Sequence, residues 1–447
     1  MRKWLPFVLL LLLVPLVRGV DIDQRELDNG LQVILVRNPT VPLVTIEIAV
    51  KTGATCESPE YDGLAHLYEH MFFKGNKTLP TQEAYKKRVR ELGIIYNGAT
   101  STERVYYFIT LGSERLEEGL KFMNDAICYP LFKEEELERE RKVVLNEYDR
   151  YESQPEFHFR RNMDKLIYWE YFVRHNTIGF RDVIATATPE KMRYFQRKYY
   201  NPNNSALIIC GDIEQDKAFK LAKRYFSSWK RGQESDYNLL PQHPPIEDKA
   251  IVITEKPTKG VATLVLRMKG PQAGLDPQAT FAADVFNTAL NHPISKFQKA
   301  LVDSGFFFDA IMSYYTQRYG GEISFRGTLL PEKIPQAQRV LFSQVERFKE
   351  PDYVTPEELE MAKRKLEIDI LYQEERSQQF VHTLGFWWNV GGGSLDYYQG
   401  YLDNAKKISR KDINGYLDGY LLGKNYILGL MVPEGTKLSF HLPEPKL

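Results

Sequence analysis

Cysteine is scarce in this chain. Cys56, Cys128 and Cys210 are the only three in 447 residues, and their wide spacing and odd number exclude a disulfide framework as the source of stability. Cys128 and Cys210 lie in the apolar runs Ala-Ile-Cys-Tyr and Ile-Ile-Cys-Gly, where a free thiol packs as a small hydrophobe and makes a poor candidate ligand. An excess of one charge is lacking too, since lysine plus arginine equals aspartate plus glutamate at 59 each. With no global field of either sign, nucleic acid and anionic membranes are not expected partners. Past residue 20 no apolar run approaches the ~20 residues that span a bilayer, so no integral membrane segment is expected there. Histidine numbers only eight, which makes any cluster of it informative.

The start of the chain is the exception to that apolar poverty. Met1-Arg-Lys-Trp is positive, Leu5 to Val17 is almost wholly apolar, and Val17-Arg-Gly19 resembles a cleavage site. These are the three parts of a signal peptide, so residues 1–19 are read as one, with export to a periplasm or the exterior as the consequence. At 43% hydrophobic and 26% charged, the chain has ordinary soluble composition and length enough for two or more domains.

Two of the eight histidines, His66 and His70, bracket Glu69 in Gly63-Leu-Ala-His-Leu-Tyr-Glu-His-Met-Phe-Phe-Lys-Gly75. On a helix, positions i, i+3 and i+4 share one face, so both imidazoles and the carboxylate can converge on one point. Neutral imidazole is a zinc ligand, and a catalytic zinc takes three protein ligands and leaves one position open. In the order His-x-x-Glu-His the glutamate is the general base, and the third ligand comes from farther along. Glu134 to Tyr148 supplies the candidates, with strong helix formers, no Gly or Pro, and Leu137, Val144, Leu145 and Tyr148 near helical spacing. Glu140 and Glu147 stand two turns apart on one face, and Glu147 is read as the third ligand. Acidic runs of this kind are ordinarily solvated helix faces; the upstream histidines lift this one above that.

Gly63 to Gly75, Glu147 seventy-seven positions after His70, and Glu140 one heptad before it together resemble the pitrilysin family of inverted-motif zinc metallopeptidases. That family includes insulin-degrading enzyme, the mitochondrial processing peptidases and bacterial relatives of similar size. The resemblance extends to Leu27–Leu35, like the family's first strand pair, and to Asn97–Tyr107, and covers nearly the whole chain after residue 19. It implies one Zn2+ per chain held by His66, His70 and Glu147, with Glu69 as general base and Glu140 hydrogen-bonded to a ligand imidazole to fix its orientation. Asn97–Tyr107 carries β-branched and aromatic residues in loose alternation and reads as a strand. In the family this is an edge strand that pairs with the backbone of a peptide substrate, which implies Asn97, Gly98, Ala99 and Thr100 as substrate-binding residues.

An internal repeat sets the architecture. Asn38-Pro-Thr followed by Val44–Lys51 recurs 218 positions later as Lys256-Pro-Thr followed by Ala262–Lys269, with matching alternation. Each half ends in a helix, turn and final strand pattern, Thr188 to Gly211 and Ser409 to Val432. The expected fold is α+β, with two homologous α/β-sandwich domains at 20–232 and 249–447, joined by a polar, proline-bearing linker at 233–248. The resemblance implies that they face each other across a chamber. An offset of 218 sets Asp284, Asn287 and Thr288 opposite His66, Glu69 and His70, so the second domain is expected to hold no metal.

In the family the second domain contributes an arginine and a tyrosine that bind substrate and steady the oxyanion. The matching stretch Phe297–Asp309 has Lys299 or Leu301 at the arginine position and Phe306 or Phe308 at the tyrosine position. Lysine lacks arginine's planar fork and phenylalanine donates no hydrogen bond. Loss of one oxyanion donor typically costs ~3 kcal/mol in the transition state. Arg318-Tyr319 reads as a hairpin tip and is not expected to replace the pair. The expected function is therefore a zinc metalloendopeptidase acting on peptides or unfolded segments, as catalytic subunit of a heterodimer whose sibling supplies the arginine and tyrosine. The alternative is a non-catalytic zinc-binding structural or assembly protein of the same fold.

Overall fold

A computed structural model describes residues 20–168, 176–235, 245–246, 250–256 and 260–437. Residues 1–19, read as a signal peptide, and most of the linker 233–248 lie outside the described residues.

The first half builds one sheet from β1 (Ile22–Glu26), β2 (Gln32–Arg37), β3 (Leu43–Val50), β4 (Ile95–Thr100), β5 (Val105–Gly112) and β6 (Ser205–Gly211), in the order β1-β2-β6-β3-β5-β4. The second half builds another from β7 (Ala250–Lys256), β8 (Ala262–Lys269), β9 (Asp309–Tyr315), β10 (Glu322–Leu329) and β11 (Ile427–Pro433), in the order β7-β11-β8-β10-β9. Setting β1 aside, the two sheets match strand for strand. In each, the first strand runs parallel to the last, β2 with β6 and β7 with β11, and the other neighbours are antiparallel. The repeated segments become β3 and β8, which hold the same place in both.

Neither sheet leaves its central strands bare, and β2 shows why. Its Val33 and Leu35 enter one core while Ile34 and Val36 enter another, the pattern of a strand buried on both faces. On the first face lie α1 (Leu64–Phe72), α2 (Gln82–Leu92), α3 (Leu116–Cys128) and α4 (Glu134–Glu152). The second face is covered from the other half of the chain, by the helix Ser377–Val390, whose Phe380, Val381, Leu384 and Trp388 pack on Ile34, Ala206 and Ile208. The second sheet is treated reciprocally. There α5 (Pro155–Tyr168) lays Phe159, Met163 and Ile167 against Val252, Ile427 and Met431. Gly429 of β11 admits that helix, because a Cβ there would stand 2.5 Å from both Met163 Sδ and Phe159 Cζ. Each half thus lends one helix to the other.

Two local expectations change. Asn97–Tyr107 is a hairpin and not one strand: β4 ends at Thr100, the chain reverses where Ser101 N–H meets Arg104 O at 2.8 Å, and β5 begins at Val105. The polar run Ser-Thr-Glu is the turn. Arg318-Tyr319 does lie in the turn between β9 and β10, but its residues do not project at a free tip. Their backbone N–H groups both donate to buried Glu103 at 2.8 Å, and the Arg318 guanidinium donates to Val390 O at 3.2 Å. All three cysteines are free, Cys210 buried and the others half-buried. Among the described residues no helix is long and apolar enough to cross a membrane.

Candidate metal centre

The presentation of α1 is decided below and before it. Gly63 enters the helix at φ +94°, and a Cβ there would stand 2.8 Å from the Gly179 Cα, so only glycine fits. The first N–H groups of the helix find Glu57, whose oxygens accept from Gly63 N at 2.8 Å and Ala65 N at 2.6 Å. Burial, followed by the neighbouring Asp62, pushes the Glu57 carboxyl well above its usual range against the pull of those N–H groups. Under the helix Tyr68 stacks on Tyr200 at 3.8 Å and Phe72 on Tyr107 at 3.6 Å, and the Tyr107 and Tyr200 hydroxyls are 2.8 Å apart. With this face packed, the face carrying His66, Glu69 and His70 is turned toward α4.

His66, His70 and Glu147 each offer a ligand atom, and these atoms lie within 4.8 Å of one another. His70 Nε2 is 3.6 Å and His66 Nε2 3.9 Å from Glu147 Oε2. Ligands held tetrahedrally about 2.0–2.2 Å from zinc stand roughly 3.3–3.6 Å apart, so the two imidazole–carboxylate distances need a contraction of only a few tenths of an ångström. Burial, and then the adjacent His70, pull the His66 imidazole down to about 4 despite Glu147, which leaves it in the neutral form that ligates. Glu140 Oε2 lies 3.3 Å from His70 Nδ1 and its Oε1 pairs with Lys74 Nζ at 2.8 Å. Burial works to raise the Glu140 pKa, but His70 and Lys74 outweigh it and hold the carboxyl below its usual range. With Nδ1 donating to Glu140, His70 presents the Nε2 lone pair to the cluster. The donor set, two imidazoles and one carboxylate, suits zinc.

Glu69 stands beside these ligands without joining them. Its Oε2 accepts from Thr100 Oγ1 at 2.7 Å. Burial raises its pKa, with Glu147 adding and the Thr100 hydrogen bond and His70 opposing. Gly98 lies against it so closely that a Cβ would be 3.1 Å from both Glu69 Cγ and Tyr107 Cδ1. Because β4 is the sheet's edge, this segment has one unpaired side. Gly98, Ala99 and Thr100 line a cavity of about 340 Å³ with His66, Glu69 and Glu147. Asn97 and Gly98 line a second of about 190 Å³ with Glu69 and His70. Sequence reasoning missed Tyr151, Phe157 and Arg160 on the larger cavity. They sit at the end of α4 and on α5, and their place shortly after Glu147 was the only signal.

The second half offers no counterpart. Asp284, at the position matching His66, accepts a hydrogen bond from Tyr401 at 2.7 Å, and no further metal-ligating cluster occurs among the described residues. Of the residues at the two matching positions, Lys299 is exposed and Leu301 fully buried, while Phe306 is half-buried and Phe308 59% exposed.

Residues 32–177 match the family described as Insulinase (Peptidase family M16), and residues 186–366 match the Peptidase M16 inactive domain. The chain belongs to peptidase family M16. It is similar to the M16 relative named uncharacterized zinc protease YmxG of Bacillus subtilis (strain 168), 26% identical over 421 residues, 94% of this chain and 100% of that protein. In fold it is similar to a protease from Helicobacter pylori, with a TM-score of 0.81 at 23% identity over 93% of this chain and 100% of that one. The periplasmic protease PqqL from Escherichia coli gives a TM-score of 0.76 at 18% identity over 93% of this chain but 48% of that one, so the M16 chain described here spans about half its length.

Proposed function

We propose that this M16 chain is a zinc-dependent endopeptidase that hydrolyses peptides or unfolded polypeptide segments, working as the metal-bearing subunit of a heterodimer. One observation carries the reading: Glu69, outside the His66/His70/Glu147 group, is held by Thr100 at 2.7 Å and opens to a cavity of about 340 Å³ beside a sheet edge. A zinc ion at that group, one per chain, supplies Lewis-acid activation of water and of the scissile carbonyl. The unpaired side of β4 takes an extended peptide backbone through Asn97–Thr100, so main-chain hydrogen bonds supply affinity and many sequences are accepted. Glu69 then takes a proton from the attacking water and passes it to the leaving amine, and its raised pKa brings it nearer the working pH. The hydrogen bond from Thr100 keeps its second oxygen aimed.

The subunit assignment rests on what the second half does not offer. Whether the arginine position falls on exposed Lys299 or buried Leu301, and the tyrosine position on Phe306 or Phe308, neither register supplies an arginine fork or an aromatic hydroxyl, so a sibling chain is taken as the source of an arginine and a tyrosine. The domain limits 20–232 and 249–447, the linker 233–248, and export after loss of residues 1–19 belong to the same proposal. Export is supported by the sequence of that segment and by the periplasmic PqqL relative. The rival is a zinc-binding assembly protein without turnover, which the same lack of arginine and tyrosine at the two matching positions favours. Metal analysis and cleavage of an unfolded protein, with and without the sibling recovered from the native source, separate them. Glu69→Gln is expected to keep one zinc and lose cleavage by about 10²–10⁴-fold. Zinc without any cleavage by the paired chains would leave the rival standing, and full turnover by the lone chain would refute the division of labour.

A further inference from the structure

We infer that a groove beside the metal cavity reads an acidic side chain of the substrate, with Arg160 and Arg326 as its specificity-determining residues. The inference rests on the peptidase reading above and names a substrate class within it: unfolded segments with an aspartate or glutamate near the scissile bond.

The groove exists because α5 covers only part of the second sheet. Its apolar residues pack on β7 and β11, and the cover stops at β8. Arg326 of β10 stands directly across from Val265 of β8 and Ile311 of β9, and both Arg326 and Ile311 are exposed. Between that face and α5 runs a space of about 500 Å³, lined from the first half by Tyr151, Phe157 and Arg160 and from the second by Val265, Arg267 and Arg326. Tyr151, Phe157 and Arg160 also line the cavity holding His66, Glu69 and Glu147. Groove and metal cavity are therefore adjacent, sharing these three side chains as a wall, and a peptide reacting beside Glu69 has neighbouring side chains within reach of the groove.

Charge decides what it takes. Arg267 is already engaged, with Asp164 at 2.6 Å and Glu322 at 2.8 Å, and Tyr168 donates to Glu322 at 2.8 Å. Lys269 lies 4.3 Å over the Tyr168 ring, and burial lowers its pKa to about 7 against the pull of Glu322. Arg160 and Arg326 make no hydrogen bond or close ion pair among the described residues, although Arg160 lies near enough to Asp164, already held by Arg267, to help lower its pKa. Against these two uncommitted guanidinium groups the lining holds one uncommitted carboxylate, Glu156, four residues before Arg160 and not paired with it. A guanidinium grips a carboxylate through two parallel hydrogen bonds. The flanking Phe157 and Val265 reduce the water around such a pair and strengthen it.

The test uses the full-length chain carrying Glu69→Gln, so that binding is read without cleavage, and unfolded fluorescent peptides differing at one position as Glu, Gln or Lys. The Glu peptide is expected to bind about tenfold more tightly than the Gln peptide, as a charged hydrogen bond contributes. Adding Arg160→Gln and Arg326→Gln should bring the Glu and Gln peptides within twofold of each other, and adding Arg160→Glu and Arg326→Glu should shift preference to the Lys peptide. Equal binding of Glu and Gln peptides by the starting chain, or a preference that survives both arginine replacements, overturns the inference. To separate cleavage from recognition, the same peptides are offered to the chain with Glu69 intact, paired with the sibling recovered from the native source: acid-selective binding without cleavage by the pair supports the groove and sinks the peptidase reading, cleavage without acid selectivity sinks only the groove, and no binding of any peptide sinks both.

Discussion

Glu140 reaches the candidate metal site only through His70. Its two oxygens are divided between His70 Nδ1 at 3.3 Å and Lys74 Nζ at 2.8 Å, so the imidazole is fixed in tautomer and in rotation by a carboxylate that is itself pinned. Losing such a partner typically weakens metal binding 10–100-fold. Glu140→Gln keeps the shape but removes the charge that holds both neighbours, and a zinc affinity lower by about that factor is expected in chelator competition, with the circular dichroism spectrum unchanged. Unaltered affinity would show that packing alone orients His70. At this scale the sequence was most readable where the geometry is local. His66, Glu69 and His70 share a helix face by spacing alone, and Glu147 follows on a helix whose own periodicity is clear. Arg160 and Phe157 were not readable, because no local pattern says that α5 turns their side chains back to the same cavity.

Glycine at one position lets α5 serve two sheets. The helix starts two residues after α4 ends in a Ser-Gln step, sends Phe157 and Arg160 to the metal cavity, and presses Phe159 and Met163 onto β11 at Gly429. A larger residue there must push the helix off. Gly429→Val is expected to destabilise the fold by about 1–3 kcal/mol, the usual cost of overpacking, read as a lower urea midpoint with the slope unchanged. Cleavage should fall further than the loss of folded protein explains, because displacing α5 moves two cavity residues with it. A stability change without that extra loss would disconnect α5 from the site. The element scale also shows what a repeat conveys. Matching strand patterns were enough to foresee that β3 and β8 hold equivalent places, since alternation and order are local. The exchange of α5 and Ser377–Val390 between the halves was not foreseeable, because a helix face that packs on the neighbouring sheet looks the same in sequence as one that packs on its own.

The two halves are joined at the turn that ends β4, and one buried carboxylate there makes the joint sensitive to pH. Glu103 accepts from Arg318 N and Tyr319 N at 2.8 Å each, while the next residue, Arg104, donates to His382 O at 2.9 Å and pairs with Glu47 at 3.5 Å. Residues 103 and 104 thus tie the edge hairpin to both a turn and a helix of the second half. The turn's local form was legible, but its partner lies 215 residues away in sequence, where no spacing rule reaches. Burial lifts the Glu103 carboxyl from 4.5 to about 7 against the pull of the two N–H groups and Arg318. A carboxyl whose pKa is higher folded than unfolded binds its proton more tightly in the fold. Its stabilising contribution is therefore full below about pH 4.5 and is lost as the pH climbs to about 7, by about 3 kcal/mol. Glu103→Gln never ionises and keeps one carbonyl oxygen for one of the two N–H groups. The variant should be the less stable protein at pH 5, having lost an acceptor, yet its melting temperature should fall less than that of the parent between pH 5 and pH 7.5. Calorimetry at those two pH values decides it: parallel falls in the two proteins would remove Glu103 as the titrating group and leave the joint insensitive to pH.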